Sequence, residues 1–211
     1  MIVYQNSLTE LVAGIVTLFV ILDPIGVLPF FMTLTHSATE EQRNKLARRA
    51  VLIAAGLLFA FTFLGDGILL FLGIQIADFQ IAGGALLLIF AIRDALSNEP
   101  LGMSESSAAK DSVKLLNTLA VIPIATPLMA GPGSLTTVML LAKEQFPLGL
   151  LISSIAIIVD CTIGWVIFRF GNRITKAAGP TVLLIIGKVM DILMAAIAVS
   201  FLTAGITAIF S

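Results

Sequence analysis

The chain has 211 residues, of which 58% are hydrophobic and 12% charged, with a formal net charge of −1 and a mean hydropathy of +1.08. A soluble globular domain carries about 25% charged residues, so this composition excludes one and places the chain in a bilayer. Its apolar runs are continuous rather than alternating, which excludes membrane-spanning strands.

A hydrocarbon core about 30 Å thick requires roughly 20 apolar residues per helix. Six runs of that length fit, near 8–35, 50–73, 77–95, 117–142, 148–168 and 180–209. The first follows the polar MIVYQNSLTE, which has no basic residue and so lacks the charged leader of a removable signal peptide. It reads as a permanent span. Within it, LDPIGVLPFFM at 22–32 puts Asp23 and Pro24 at mid-membrane. A carboxylate that accepts from free backbone donors, followed by a proline whose missing N–H is harmless in a first turn, is a helix start signal. The span is therefore predicted to consist of two half-helices, one ending near Leu22 and one beginning near Asp23. Gly26 gives backbone access at the break and Pro29 stiffens the next turn. Thr33 and Thr35 offer hydroxyls further along.

His36, beside Ser37 and Thr39, reads as an interfacial or capping residue rather than a metal ligand. EEQRNKLARRA at 40–50 reads as a solvated connection, with no role in nucleic-acid binding. The second and third spans meet at a tight connection near Gln75–Asp78. Asp66, between Gly65 and Gly67, belongs close to the outer surface. The polar segment 96–116 is a linker between two three-span halves, 1–95 and 117–211. Because three is odd, a second copy of such a unit inserts upside down, so the halves are predicted to be inverted repeats. A shift of 108 positions places Pro24 on Pro132.

In the fourth span, PLMAGPGSLTTVML at 127–140 carries the second interruption. Gly131, Pro132 and Gly133 unwind the chain, and Ser134 caps the half-helix that continues toward Leu141. Thr136 and Thr137 add hydroxyls. Asp160, inside the fifth span, joins a proton relay or faces a water-filled passage. Its neighbour Cys161, the single cysteine, has no intrachain disulfide partner and reads as a packing residue. In the sixth span Lys188 and Asp191 are three residues apart, share a helical face, and are predicted to form a local ion pair.

Numbering the connections alternately puts Arg43, Lys45, Arg48, Arg49, Arg93, Lys110, Lys114, Arg169, Arg173 and Lys176 on one side of the membrane and Lys143 on the other. Basic residues favour cytoplasmic loops, so the first side is cytoplasmic and both termini face outward.

The two interruptions carry the chemistry. A broken helix in hydrocarbon leaves N–H and C=O groups unpaired at several kcal/mol each, and it persists only where protein, water or a ligand satisfies them. The N-terminal ends of the second half-helices suit an anion such as a carboxylate. The carbonyls that end the first half-helices suit an ammonium group or a small cation. Two such breaks in antiparallel spans make a site for a zwitterion, and backbone lined by glycine favours a small one. Asp23 at the break is either a cap or a site for a proton or sodium ion, and one residue can serve as both. With one histidine and one cysteine far apart, the chain has neither a nucleophile with its base nor a metal cluster, which argues against an enzyme. A channel or an exporter for another small solute is the alternative.

DPIGVLPFFMTLT at 23–35, PLMAGPGSLTTVMLLA at 127–142 and the glycine pair of IAGGALLLIFAI at 81–92 resemble the MarC family of integral membrane proteins, also described as neutral amino acid transporters. The resemblance runs over nearly the whole chain. It implies an all-α membrane protein of six transmembrane helices in two inverted three-helix repeats, the first and fourth helices discontinuous. It further implies transport of glycine, alanine and similar small neutral amino acids. Asp23, Pro24, Gly26 and Pro29 match the first motif; Gly131, Pro132, Gly133, Thr136 and Thr137 match the second. Val27 departs from the pattern, standing where an asparagine usually follows the glycine. Lys188 and Asp191 depart as well, occupying the place of one basic residue followed by a glycine.

The sequence thus predicts a secondary transporter of glycine, alanine and serine in the cytoplasmic membrane, working by alternating access and driven by a proton or sodium gradient. Substrate-binding residues are Asp23, Pro24, Gly26, Pro29, Gly131, Pro132, Gly133, Ser134, Thr136 and Thr137, and Asp23 and Asp160 are the ion-coupling candidates. Its partners are the amino acid, the coupling ion and lipid. No cofactor is implied, and a homo-oligomer is compatible with the sequence.

Overall fold

The architecture comes from a computed structural model that describes residues 7–35, 38–96, 129–143 and 147–210. His36, Ser37, the linker and the first half of the fourth span lie outside the described residues. Among those described there are seven α-helices: α1 (Ser7–Leu22), α2 (Pro24–Leu34), α3 (Glu40–Leu72), α4 (Ile76–Leu96), α5 (Pro132–Lys143), α6 (Leu148–Arg169) and α7 (Gly171–Phe210). Among the described residues five segments are long and apolar enough to cross a membrane: Leu8–Met32, Glu40–Leu72, Ile76–Leu96, Leu148–Arg169 and Thr181–Phe210. The chain is an all-helical, multi-pass integral membrane protein.

One expectation about a helix end changes. The stretch from Glu40 is helix rather than a solvated connection, because Thr39 and Gln42 form a capping box. The Thr39 hydroxyl accepts from the Gln42 N–H, and the Gln42 side chain accepts from the Thr39 N–H. With 33 residues at 1.5 Å each, α3 is about 50 Å long and outruns the hydrocarbon by several turns. The last helix runs from Gly171 but is interrupted at Gly179, whose φ of 78° and ψ of 157° belong to a region essentially reserved for glycine, so the apolar span itself is Thr181–Phe210, matching the run expected near 180–209. The tight connection predicted near Gln75 has a clear basis. Gly73 ends α3 in the left-handed conformation, and the Asp78 carboxylate accepts from the Gln75 N–H to start α4.

The ends of the bundle separate by charge. Glu40, Arg43 and Asn44 at the start of α3 meet Arg169, Asn172 and Arg173 at the α6–α7 junction. At the opposite end Lys143 closes α5 and lies 3.9 Å from Asp66 of α3. Helices α3 and α6 are therefore antiparallel, and Arg43, Arg169 and Arg173, expected on one side, meet at one end. Arg43 also ties α2 to α3: its Nε donates to the Thr35 hydroxyl and its Nη2 to the Thr35 carbonyl, both at 3.2 Å.

The core between α1, α2, α3 and α6 is apolar, with the Phe31 and Phe168 rings stacked at 4.9 Å. Helices α4 and α7 make the most extensive pairing. Small residues permit it, since a Cβ on Gly84 would stand 2.9 Å from the Ala198 carbonyl oxygen, and one on Gly205 2.9 Å from that of Ala77. The neighbouring Gly83 serves a third helix. A Cβ there would come within 2.3 Å of the Thr136 hydroxyl of α5. The glycine pair thus lets α4 approach α7 on one side and the broken fourth span on the other.

Candidate functional site

Both predicted interruptions exist, and both fall just before a proline. Helix α1 stops at Leu22, Asp23 takes a positive φ of 38°, and α2 begins at Pro24; Gly131 is non-helical and α5 begins at Pro132. Aspartate is among the few non-glycine residues that enter the left-handed region readily, and here it also caps. The Gly26 N–H donates to Asp23 Oδ1 at 3.0 Å, while the Asp23 N–H still donates to the Phe19 carbonyl. In this way the carboxylate satisfies one donor of the second half-helix from within the chain. One consequence corrects the sequence expectation: the Gly26 N–H is committed to Asp23, so the open helix N-terminus is that of α5.

The two breaks open on one cavity of about 50 Å³. Of the predicted residues, Asp23, Gly131, Pro132, Gly133 and Ser134 line it; Pro24, Gly26, Pro29, Thr136 and Thr137 sit in the adjoining turns. Ser134 donates to the carbonyls of Met129 and Gly131, both at 2.9 Å, stabilising the unwound segment before α5. Thr136 and Thr137 donate to the carbonyls four residues back, at 2.8 Å each. Thr35 lies at the far end of α2, where its hydroxyl bonds Phe31 and Arg43. Val27, 2% exposed, presents methyl groups to the cavity.

Asp94 is the residue that sequence reasoning missed. It stands near the end of α4, lines the cavity, and joins Asp23 and Asp191 in a cluster whose carboxylate oxygens lie within 4.8 Å of one another. The cation beside them is Lys188 of α7, with Nζ 4.0 Å from Asp191 Oδ2 and a hydrogen bond to the Asp94 carbonyl. The predicted Lys188–Asp191 pair is thus present but is one side of a larger cluster, because the unwound chain at Asp23 brings a third helix against it. Asp191 is 2% exposed and its Oδ1 has no hydrogen-bond partner among the described residues. At this separation and an effective dielectric constant near 20, each pair of ionised carboxylates repels by about 3–4 kcal/mol. One ammonium cannot offset three carboxylates, so the cavity favours cationic groups.

Asp160 stands apart. It is 1% exposed on α6, both its carboxylate oxygens lack partners among the described residues, and it does not line the cavity. Asp66, by contrast, is exposed at the end of the bundle with Lys143.

Comparison with known proteins decides the family. The family model described as MarC family integral membrane protein matches residues 8–210. The chain belongs to the MarC family. Among its MarC relatives, the UPF0056 membrane protein YhcE of Escherichia coli is 31% identical over 197 residues, covering 92% of this chain and 90% of the relative. A UPF0056 membrane protein of Archaeoglobus fulgidus is 32% identical over 198 residues, covering 92% and 91%. YvbG of Bacillus subtilis is 29% identical over 204 residues, covering 92% and 93%. No solved structure matches the chain.

Proposed function

We propose that this MarC protein is a secondary transporter of small neutral amino acids, glycine, alanine and serine, coupled to a proton or sodium gradient across the cytoplasmic membrane. One observation carries the proposal: two helix breaks share a cavity that has a helix N-terminus on one wall and three carboxylates on the other. The first turn of α5 at Gly133 and Ser134 offers N–H donors and the positive end of the helix dipole to a substrate carboxylate. The cluster of Asp23, Asp94 and Asp191 suits the substrate ammonium together with the coupling ion. With Lys188 counted, three ionised carboxylates leave two negative charges, which an ammonium and one proton or sodium ion neutralise. Gly133 keeps the wall at backbone level, and the small cavity favours side chains of one or two heavy atoms.

The order of elements supports an inverted-repeat architecture. Pro24 and Pro132 are 108 positions apart, as are the first residues of α3 and α6, Glu40 and Leu148. In such folds one repeat rocks against the other around a fixed midplane site, which gives alternating access.

The decisive experiment is counterflow. Purified protein in liposomes preloaded with unlabelled glycine should accumulate labelled glycine saturably, with alanine competing and leucine and arginine not. Absence of exchange in vesicles holding folded protein rejects the amino acid reading, and unsaturable flux points to a channel.

A further inference from the structure

A second polar cavity, of about 180 Å³, lies at the arginine-rich end of the bundle, between the start of α3 and the α6–α7 junction. Three guanidinium groups line it, those of Arg43, Arg169 and Arg173, against a single carboxylate, Glu40. Among the described residues no carboxylate comes within 4.0 Å of any of the three. Each is nonetheless held in place. Arg43 is 8% exposed and spends two of its five donors on Thr35. Arg169 lies over the rings of Trp165 and Phe170 at 5.1 and 5.8 Å, and Arg173 lies over Phe170 at 5.5 Å. Stacking on aromatic faces fixes a guanidinium while leaving its in-plane donors unused.

Three oriented guanidiniums with spare donors and no carboxylate partner among the described residues form a receptor for an anion with several acceptor oxygens. The cavity also sits where the apolar surface ends. Ile163, Val166 and Phe170 are exposed along α6 up to the rim, and the basic residues begin there. That is the level at which phosphate groups of lipids lie. We propose that this pocket binds a phosphate-bearing anion, held by Arg43, Arg169 and Arg173, with the amides of Asn44 and Asn172 within the same lining. Its occupant is either the headgroup of an anionic phospholipid or free phosphate. The site is separate from the cavity at the helix breaks, so the proposal stands or falls independently of transport.

The chain carries a reporter, because Trp165 is its single tryptophan and contacts Arg169. The full-length protein in detergent is titrated with short-chain phosphatidylglycerol, short-chain phosphatidylcholine or inorganic phosphate, with binding read by Trp165 fluorescence and native mass spectrometry. A saturable response to phosphatidylglycerol, much weaker with phosphatidylcholine and absent with phosphate, establishes a lipid headgroup site. An equal response to inorganic phosphate establishes a free-anion site. In either case Arg173→Gln, which leaves the Trp165 stack intact, and Arg169→Gln should each weaken binding roughly fivefold. Both positions are exposed, so the variants should fold, and Lys176→Gln outside the pocket should bind as the parent does. No saturable response to either anion, or arginine variants that bind as tightly as Lys176→Gln, overturns the proposal.

Discussion

Substituting Gly133 tests how the α5 terminus is held against α4. A Cβ at this position would fall 1.4 Å from Leu87 Cδ1 and 2.6 Å from its Cγ, so Leu87, 4% exposed, must leave its rotamer. The space available to it is the cavity itself. Overpacking of this kind costs about 1–3 kcal/mol, and the better helix propensity of alanine returns at most about 1 kcal/mol. Gly133→Ala should therefore destabilise by about 1–2 kcal/mol net. Leu87→Ala alone should cost about 2–5 kcal/mol by leaving a larger void. In the double variant the clash disappears, so adding Gly133→Ala to the Leu87→Ala background should cost nothing or stabilise by up to about 1 kcal/mol. The coupling between the positions is then about 1–3 kcal/mol, measurable in a double-mutant cycle by sodium dodecyl sulfate unfolding in mixed micelles followed by circular dichroism. Glycine counterflow should fall in the single Gly133→Ala variant as Leu87 enters the cavity. If Gly133→Ala costs the same in both backgrounds, contact with Leu87 is not the reason for glycine here.

Two further substitutions separate charge from conformation. Asp23→Asn keeps a residue that tolerates positive φ and caps a helix and relieves repulsion from Asp94 and Asp191, so the fold should not be destabilised while gradient-driven glycine uptake is lost. Undiminished uptake would remove the Asp23 charge from coupling. Gly179→Ala meets no atom within 4 Å of its new Cβ, so any cost comes from the backbone; at φ 78° and ψ 157° it should be about 1–3 kcal/mol in the same unfolding assay. A neutral result would mean that the interruption in α7 is not held in this conformation.

The breaks were legible in the sequence because their causes are local. An aspartate before a proline and a glycine–proline–glycine run act on the backbone within one turn, and the observed helix starts at Pro24 and Pro132 follow from them. The helical start at Glu40 was equally local but was hidden by charge. Polar composition reads as a connection, and the Thr39–Gln42 capping box outweighs it. The carboxylate cluster was not legible, since Asp94 is far in sequence from Asp23 and from Asp191 and only the packing of α4 on α7 unites them. A partial signal existed. Asp94 has no basic residue three or four positions away in the sequence, unlike Asp191 with Lys188, and a carboxylate in a span with no such neighbour is drawn to groups on another helix. The commitment of the Gly26 N–H to Asp23 follows from the same local rule, since an N-cap carboxylate accepts from the N–H two or three residues on.

The bond between Arg43 and Thr35 has a mechanical consequence. Chain continuity joins α2 to α1 only through the non-helical residue Asp23, whereas two hydrogen bonds from a buried guanidinium join the other end of α2 to α3. The second half of the first span is therefore tethered to α3 at its far end, while along its length it packs against α6 and α7. The break at Asp23 thus parts α1 from a half-helix whose other end is anchored, so the wall it gives the cavity is set by α3, α6 and α7 together rather than by the helix that precedes it in the chain.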